Sequence, residues 1–155
     1  MAGTIDARLE ELGIELPQAA APAANYVPYV VSGKQVFVAG QITILNGELK
    51  HIGKLGAEID VEEGVAAARL CGLNIIAQVK AACGGDLDRV VRCVRLGGFV
   101  NSTPDFTDQP EVINGASNLM VEVFGDKGKH SRAAVSAGSL PRGVAVEIDA
   151  IFEIA

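Results

Sequence analysis

The stretch His130-Ser131-Arg132-Ala133-Ala134-Val135, then Leu140-Pro141-Arg142-Gly143, then VAVEIDAIFEI over 144–154, decides the fold. In its last part Val144, Val146, Ile148, Ala150, Phe152 and Ile154 alternate with a set that holds Glu147, Asp149 and Glu153. A side-chain period of two marks a strand with one buried and one wet face. Ahead of it, Ala133, Val135 and Ala137 alternate with Arg132, Ala134 and Ser136. Two alternating runs around a Leu-Pro-Arg-Gly turn predict a β-hairpin. Arg132 then projects opposite Val135, on the face away from the core. A guanidinium fixed there can bind a carboxylate through two parallel hydrogen bonds. The plainer reading, which strand geometry alone favours, is a surface arginine or a structural ion pair with Asp149 or Glu147 across the hairpin.

Working outward, Gly125 and Gly128 bracket a loop before this segment. Pro110 opens a helix to about Phe124 with Val112, Leu119, Met120 and Val123 on its apolar side. Residues 88–100 are β-rich and predict a long strand. Asp60 followed by Glu63 has the form of a capping box and opens the longest helix, about 61–82. Its stripe is Val65, Ala68, Gly72, Ile75 or Ile76, and Val79, and Gly84-Gly85 ends it. Residues 42–57 are punctuated by glycine and read as loop. Tyr29–Ser32 and Gln35–Ala39 flank a Gly33-Lys34 turn. Thr4 to Leu12 reads as a short helix with Thr4 as N-cap, Ile5, Leu9 and Leu12 on one face, and Gly13 as its stop. Residues 1–24 thus form a helix and an Ala/Pro-rich linker ahead of a single domain over 25–155. The order β-β-α-β-α-β-β predicts an α+β fold, an antiparallel-rich mixed sheet with both helices on one face.

At 155 residues the chain is large enough for one real core. Nearly half of it is apolar and 21% is charged, which excludes global disorder. No apolar run reaches the ~20 residues of a membrane span, and Met1 to Leu16 lacks the form of a secretory signal. Cys71, Cys83 and Cys93 are odd in number and lack Cys-x-x-Cys spacing, so a reducing, cytoplasmic setting is expected. A net charge of −6 offers little attraction to a nucleic-acid backbone. His51 and His130 are too few and too far apart for a His-rich metal site, and no zinc spacing is present. Neither a Walker loop nor a Gly-x-Ser-x-Gly elbow occurs. No metal or cofactor is expected.

Arg132, Leu140-Pro141 and Val146-Glu147-Ile148-Asp149-Ala150-Ile151, with Pro28-Tyr29 and Val36-Phe37-Val38-Ala39-Gly40-Gln41 upstream, resemble the motifs of the RidA/YjgF family. These are the reactive-intermediate deaminases also grouped with perchloric-acid-soluble endoribonucleases. The motifs stand in the family's order and span residues 28–154. Ala39 replaces a usual Ser. The resemblance implies the chorismate-mutase-like fold and a homotrimer with clefts between subunits. It implies that Arg132 binds a substrate carboxylate, Tyr29 lines the pocket, Glu147 positions water and the backbone at Gly40 contributes. Each also has a plain structural reading: Tyr29 as an aromatic at a strand start, Gly40 as a turn glycine, Glu147 as a solvated carboxylate. Where many members carry a Cys two residues after the Arg, this chain has Ala134, so a mechanism needing that thiol is ruled out. Asn101, Asn114 and Asn118 are candidates for a pocket asparagine. The N-terminal helix, a longer 101–117 segment, and His130-Ser131 in place of Pro-Ala are departures, shared in kind with a longer subgroup of the family.

The implied function is hydrolysis of enamine or imine intermediates, 2-imino acids, to keto acids and ammonia. An alternative is a non-catalytic trimer that binds a small carboxylate or keto acid in the same cleft. A third is the endoribonuclease activity attached to the family's name. A metal-free ribonuclease usually needs paired proton-moving groups, and this acidic chain offers little of that kind.

Overall fold

The computed structural model describes residues 3–19, 21 and 25–155. Residues 20 and 22–24 of the expected linker lie outside them. Helix α1 is Thr4–Glu11. A hairpin of β1, Tyr29–Ser32, and β2, Gln35–Ile42, follows. Within the stretch read as loop, β3, Ile44–Leu45, and β4, Glu48–Leu49, make a small hairpin. Then come α2, Val61–Ala82, β5, Val90–Asn101, and α3, Gln109–Phe124. The chain closes with β6, Ser131–Ala137, and β7, Val146–Ile154. The five-stranded sheet has the order β1-β2-β7-β5-β6. All its pairs are antiparallel except β5 with β6. The expected α+β arrangement stands, with α2 and α3 against each other and against one face of the sheet.

The alternation of β7 is fully expressed. Val146, Ile148, Ala150, Phe152 and Ile154 are buried toward the helices. Phe152 meets Phe124 of α3 edge to face, ring centres 5.8 Å apart. Asp60 caps α2 by accepting a 2.8 Å bond from the N–H of Glu63. The reciprocal half of the capping box is missing, because the Glu63 carboxylate turns to His51 at 3.2 Å. By length and composition α2 could cross a membrane, yet 61% of that apolar stretch is buried inside the protein. Small residues let α2 and α3 approach closely: a Cβ on Gly72 would lie 2.9 Å from Leu119, and one on Gly115 would strike the carbonyl oxygen of Val65.

The final hairpin does not form. β6 pairs with β5, in parallel, and β5 lies between β6 and β7. The physical reason is the connection through α3: a strand that leaves by a helix and returns beside its predecessor comes back parallel. Leu140-Pro141-Arg142-Gly143 is then part of a longer connection, with a short 3₁₀ turn over Pro141–Gly143. The faces of β6 are also the reverse of the expectation. Arg132 pairs with buried Leu96 and Ala134 with Gly98, which packs against Ile113 of α3, so Arg132 and Ala134 face the helices. Val135 faces away and is 46% exposed. The Ala/Ser-rich pattern of β6 carries too little contrast to say which side is covered.

Thr4 is the first residue of α1 rather than its N-cap; Gly3 takes that place and supplies no side chain. The open N–H groups of Thr4 and Ile5 donate instead to the carboxylate of Asp88, both at 2.9 Å. Leu9 is buried against the body, and Asp6 lies 3.4 Å from Lys80. Ala155 is fastened one residue away. Arg89 donates from Nε and Nη2 to the oxygen of Ala155, and Ala155 N–H donates to the Arg89 carbonyl.

The bonds from Ile5 and then Thr4 hold the Asp88 carboxyl below its ordinary range. Its folded value is depressed, so this contribution is present above the unfolded value and is lost as pH falls through the folded one. Amide protection at Thr4 and Ile5 should therefore fade in acid before β5 loosens. Asp88→Ala should remove it at neutral pH. Equal protection in variant and wild type would show that the cap does not hold α1.

Candidate ligand site

β2 slips register against β7 between Val38 and Gln41, which leaves Ala39 and Gly40 in a bulge. The bulge opens a cleft of about 610 Å³ lined by Tyr26, Tyr29, Phe37, Gly40, Arg95 and Asp149, among others. Tyr29 serves both readings: it packs on the edge of the core and lines this cleft. Gly40 is more than a turn residue, since a Cβ there would collide with Oε2 of Glu147. The missing side chain is the space the carboxylate fills. Burial first, and then the charge of Asp149, raise the Glu147 carboxyl above its ordinary range. A carboxyl raised in this way holds its proton to higher pH than a solvated glutamate does. Past Gly40 the cleft runs on to Gln41, Ile42 and Arg142, whose backbone is left-handed at φ 61°.

Arg132 sits elsewhere. It is the second residue of edge strand β6, on the helix-covered face, and reaches the N-terminal half of α3. Its Nη1 donates to Asn114 Oδ1 at 2.8 Å and to Ser117 Oγ at 3.0 Å; Nη2 donates to the Pro110 carbonyl at 3.3 Å. Asn114 and Ser117 are three apart, so one helical turn offers both to the same guanidinium. Five N–H groups minus these three bonds leave Nε–H and one Nη2–H without a partner among the described residues. The cleft around Arg132 also holds Asn118, Lys129 and His130. Neither Asp149 nor Glu147 pairs with Arg132; the cation beside Asp149 is Arg95, 3.8 Å away.

The four expected site residues therefore fall in two places. Tyr29, Gly40 and Glu147 gather at the β2 bulge, and Arg132 lies apart. Glu147, Phe99 and Val135 form one row across β7, β5 and β6 on the open face, while Arg132 belongs to the opposite face. The cleft around Arg132 and the cleft at the bulge share no lining residue. Of the asparagines, Asn114 touches Arg132 and Asn118 lines its cleft. Asn101 is buried and spent on the carbonyls of Gly53 and Val144. Sequence reading missed Arg95, Ser117 and His130. The Asn114/Ser117 spacing on the polar side of α3 was the available signal. Among the described residues no group of His, Cys, Asp or Glu converges as a metal site.

The open face carries Val30, Phe37, Phe99 and Val135, all exposed, with Ile151 between them. Apolar sheet faces left uncovered in this way are common at protein–protein contacts.

A family model described as "YjgF/chorismate_mutase-like, putative endoribonuclease" matches residues 6–149. Protein TCP17 of Trypanosoma cruzi is 52% identical over 153 residues, covering 98% of this chain and 95% of that protein. The crystal structure of Atu1372 from Agrobacterium tumefaciens superposes with a TM-score of 0.91 at 50% identity, over 97% of this chain and 92% of that one. TdcF of E. coli, solved with bound serine, superposes with a TM-score of 0.59 at 25% identity, over 90% and 94% of the two chains.

Proposed function

The chain belongs to the YjgF/chorismate-mutase-like family, and from that premise we propose that it hydrolyses small enamine or imine carboxylates to 2-keto acids and ammonia, in a cleft built by two copies of the chain. The observation that carries the reading is the split site. Arg132 keeps two N–H donors free on one face of the sheet. Gly40, Tyr29 and Glu147, its carboxyl raised by burial, stand at the other. The apolar open face supplies the surface on which copies meet, in a homotrimer with a cleft at each interface. The serine bound to TdcF supports a ligand of amino-acid size and charge.

The chemistry asks for little. The free fork of Arg132 holds the carboxylate and fixes C2 of the imine. The neighbouring copy's Glu147 orients a water toward that carbon. Ala134 offers no thiol, so no covalent step through a side chain at that place is needed. The three thiols Cys71, Cys83 and Cys93 are free and buried, which suits a reducing, cytoplasmic setting. A ribonuclease reading draws less support: His51 is engaged with Glu63 and His130 with Ser117, in separate parts of the fold.

The test couples an amino-acid oxidase, which makes 2-imino acids, to assays for ammonia and keto acid, with the mass in solution measured alongside. Faster release of both products by a trimer is the expected result. Tight keto-acid binding with no acceleration would make the protein a carrier of small carboxylates. A species that is monomeric at all concentrations would sink the shared cleft.

A further inference from the structure

We propose that Ser117 and His130 form a proton relay beside Arg132, serving the substrate that Arg132 holds; the proposal rests on the imine-hydrolase reading above. His130 Nδ1 lies 2.6 Å from the Gly128 carbonyl oxygen. A carbonyl only accepts, so Nδ1 carries the proton and donates it. The lone pair of neutral His130 is then on Nε2, which lies 2.9 Å from Ser117 Oγ. The Ser117 hydroxyl therefore donates to His130, and its oxygen accepts from Arg132 Nη1 at 3.0 Å. Gly128 orients the ring, the ring takes the hydroxyl proton, and the hydroxyl lies against the carboxylate-binding cation. A base fixed by a backbone acceptor and aimed at a hydroxyl in a cleft is the arrangement that proton transfer needs.

The surroundings agree. Ser117, His130 and Arg132 are each half-buried, neither sealed in the core nor free in solvent. The charged groups lining this cleft are Arg132 and Lys129, and among the described residues no carboxylate lines it. The other titratable group of the joined site is Glu147 of the neighbouring copy. Water adds to C2 of the protonated imine. As the C–O bond forms, water gives one proton to Ser117 Oγ and the Ser117 proton passes to His130 Nε2. The proton returns along the same path to nitrogen. The C–N bond then breaks, the hydroxyl proton leaves to solvent, and ammonia takes it up. The sum is imine cation plus water giving keto acid plus ammonium.

The experiment compares wild type, Ser117→Ala, Ser117→Thr and His130→Gln in the oxidase-coupled assay across pH, with thermal unfolding of each. Ser117→Ala and His130→Gln should lower kcat about 100-fold with KM changed by less than about threefold. Ser117→Thr, which keeps the hydroxyl, should restore most of the kcat lost in Ser117→Ala. Unchanged kcat in folded His130→Gln would overturn the relay and leave the hydrolase reading intact. A rise in KM alone would overturn it too, since the pair would then only steady Arg132. Wild type inactive on every imine would remove the hydrolase reading, and the relay with it.

Discussion

Arg132→Lys should be nearly as damaging as Arg132→Ala, each losing about ten- to a hundred-fold in keto-acid affinity or in kcat/KM. Lysine keeps the charge and loses the planar fork. It also lacks the donors to satisfy Asn114, Ser117 and the Pro110 carbonyl and still face a ligand. The position of Arg132 on the helix side adds a consequence that a surface placement would not have. Removing the guanidinium unfastens β6 from α3, so Arg132→Ala should also lose about 1–2 kcal/mol of stability. A stronger form of the test uses two damaged proteins. Arg132→Ala chains keep Glu147, and Glu147→Gln chains keep Arg132. Refolded together in equal amounts, they should recover activity at about one interface in four, because only there do the intact halves meet. No recovery from mixed oligomers would show that each chain works alone.

Gly115→Ala is expected to destabilise the protein by about 3 kcal/mol, although helix propensity alone favours alanine by about 1 kcal/mol. The added Cβ would meet the Val65 carbonyl oxygen, the Val65 carbonyl carbon at 3.0 Å and the Arg69 nitrogen at 3.2 Å. All three are backbone atoms of α2, and none can turn aside as a side chain tip can. The helices must part, and the contacts of Ala68, Gly72 and Leu119 loosen with them. Three kcal/mol is a large share of a domain stability of about 5–15 kcal/mol. Gly138→Ala, with no atom within 4 Å of the added methyl, is the control and should stay within about 0.5 kcal/mol. Urea unfolding of both variants decides the matter; a Gly115→Ala protein as stable as wild type would mean the helices have room to spare.

What could be read from the sequence was local. The helix over 61–82 agrees with α2 end to end, because Asp60 and Gly84-Gly85 punctuate it within a few residues. The alternation of 146–154 named the buried side of β7. Strand partners are not local, and there the reading went wrong. Nothing in residues 131–154 says that β5, some forty residues earlier, will lie between β6 and β7. The same gap hid the split of the site, since the separation of Arg132 from Glu147 depends on which face of β6 meets α3. The α1 cap was out of reach for the same reason: its acceptor, Asp88, is 84 residues from Thr4. Resemblance brought Arg132, Tyr29, Gly40 and Glu147 to notice, while Ser117 and His130 became visible only once α3 and β6 were packed together.

The fastening of Thr4 to Asp88 and of Ala155 to Arg89 has a mechanical meaning. A pull applied between residues 4 and 155 is carried first through two adjacent residues and bypasses the sheet. The load peels α1 and the end of β7 from the turn over 86–89 before it can shear any long strand pair. Such a protein should yield at low force in a tethered-bead measurement made through these two residues. It should resist far more when gripped at Gly33 and Gly138. By the same proximity, residues 4 and 155 can be bridged by a short flexible linker and the chain reopened at the Gly33-Lys34 turn, giving a permuted protein with the same core.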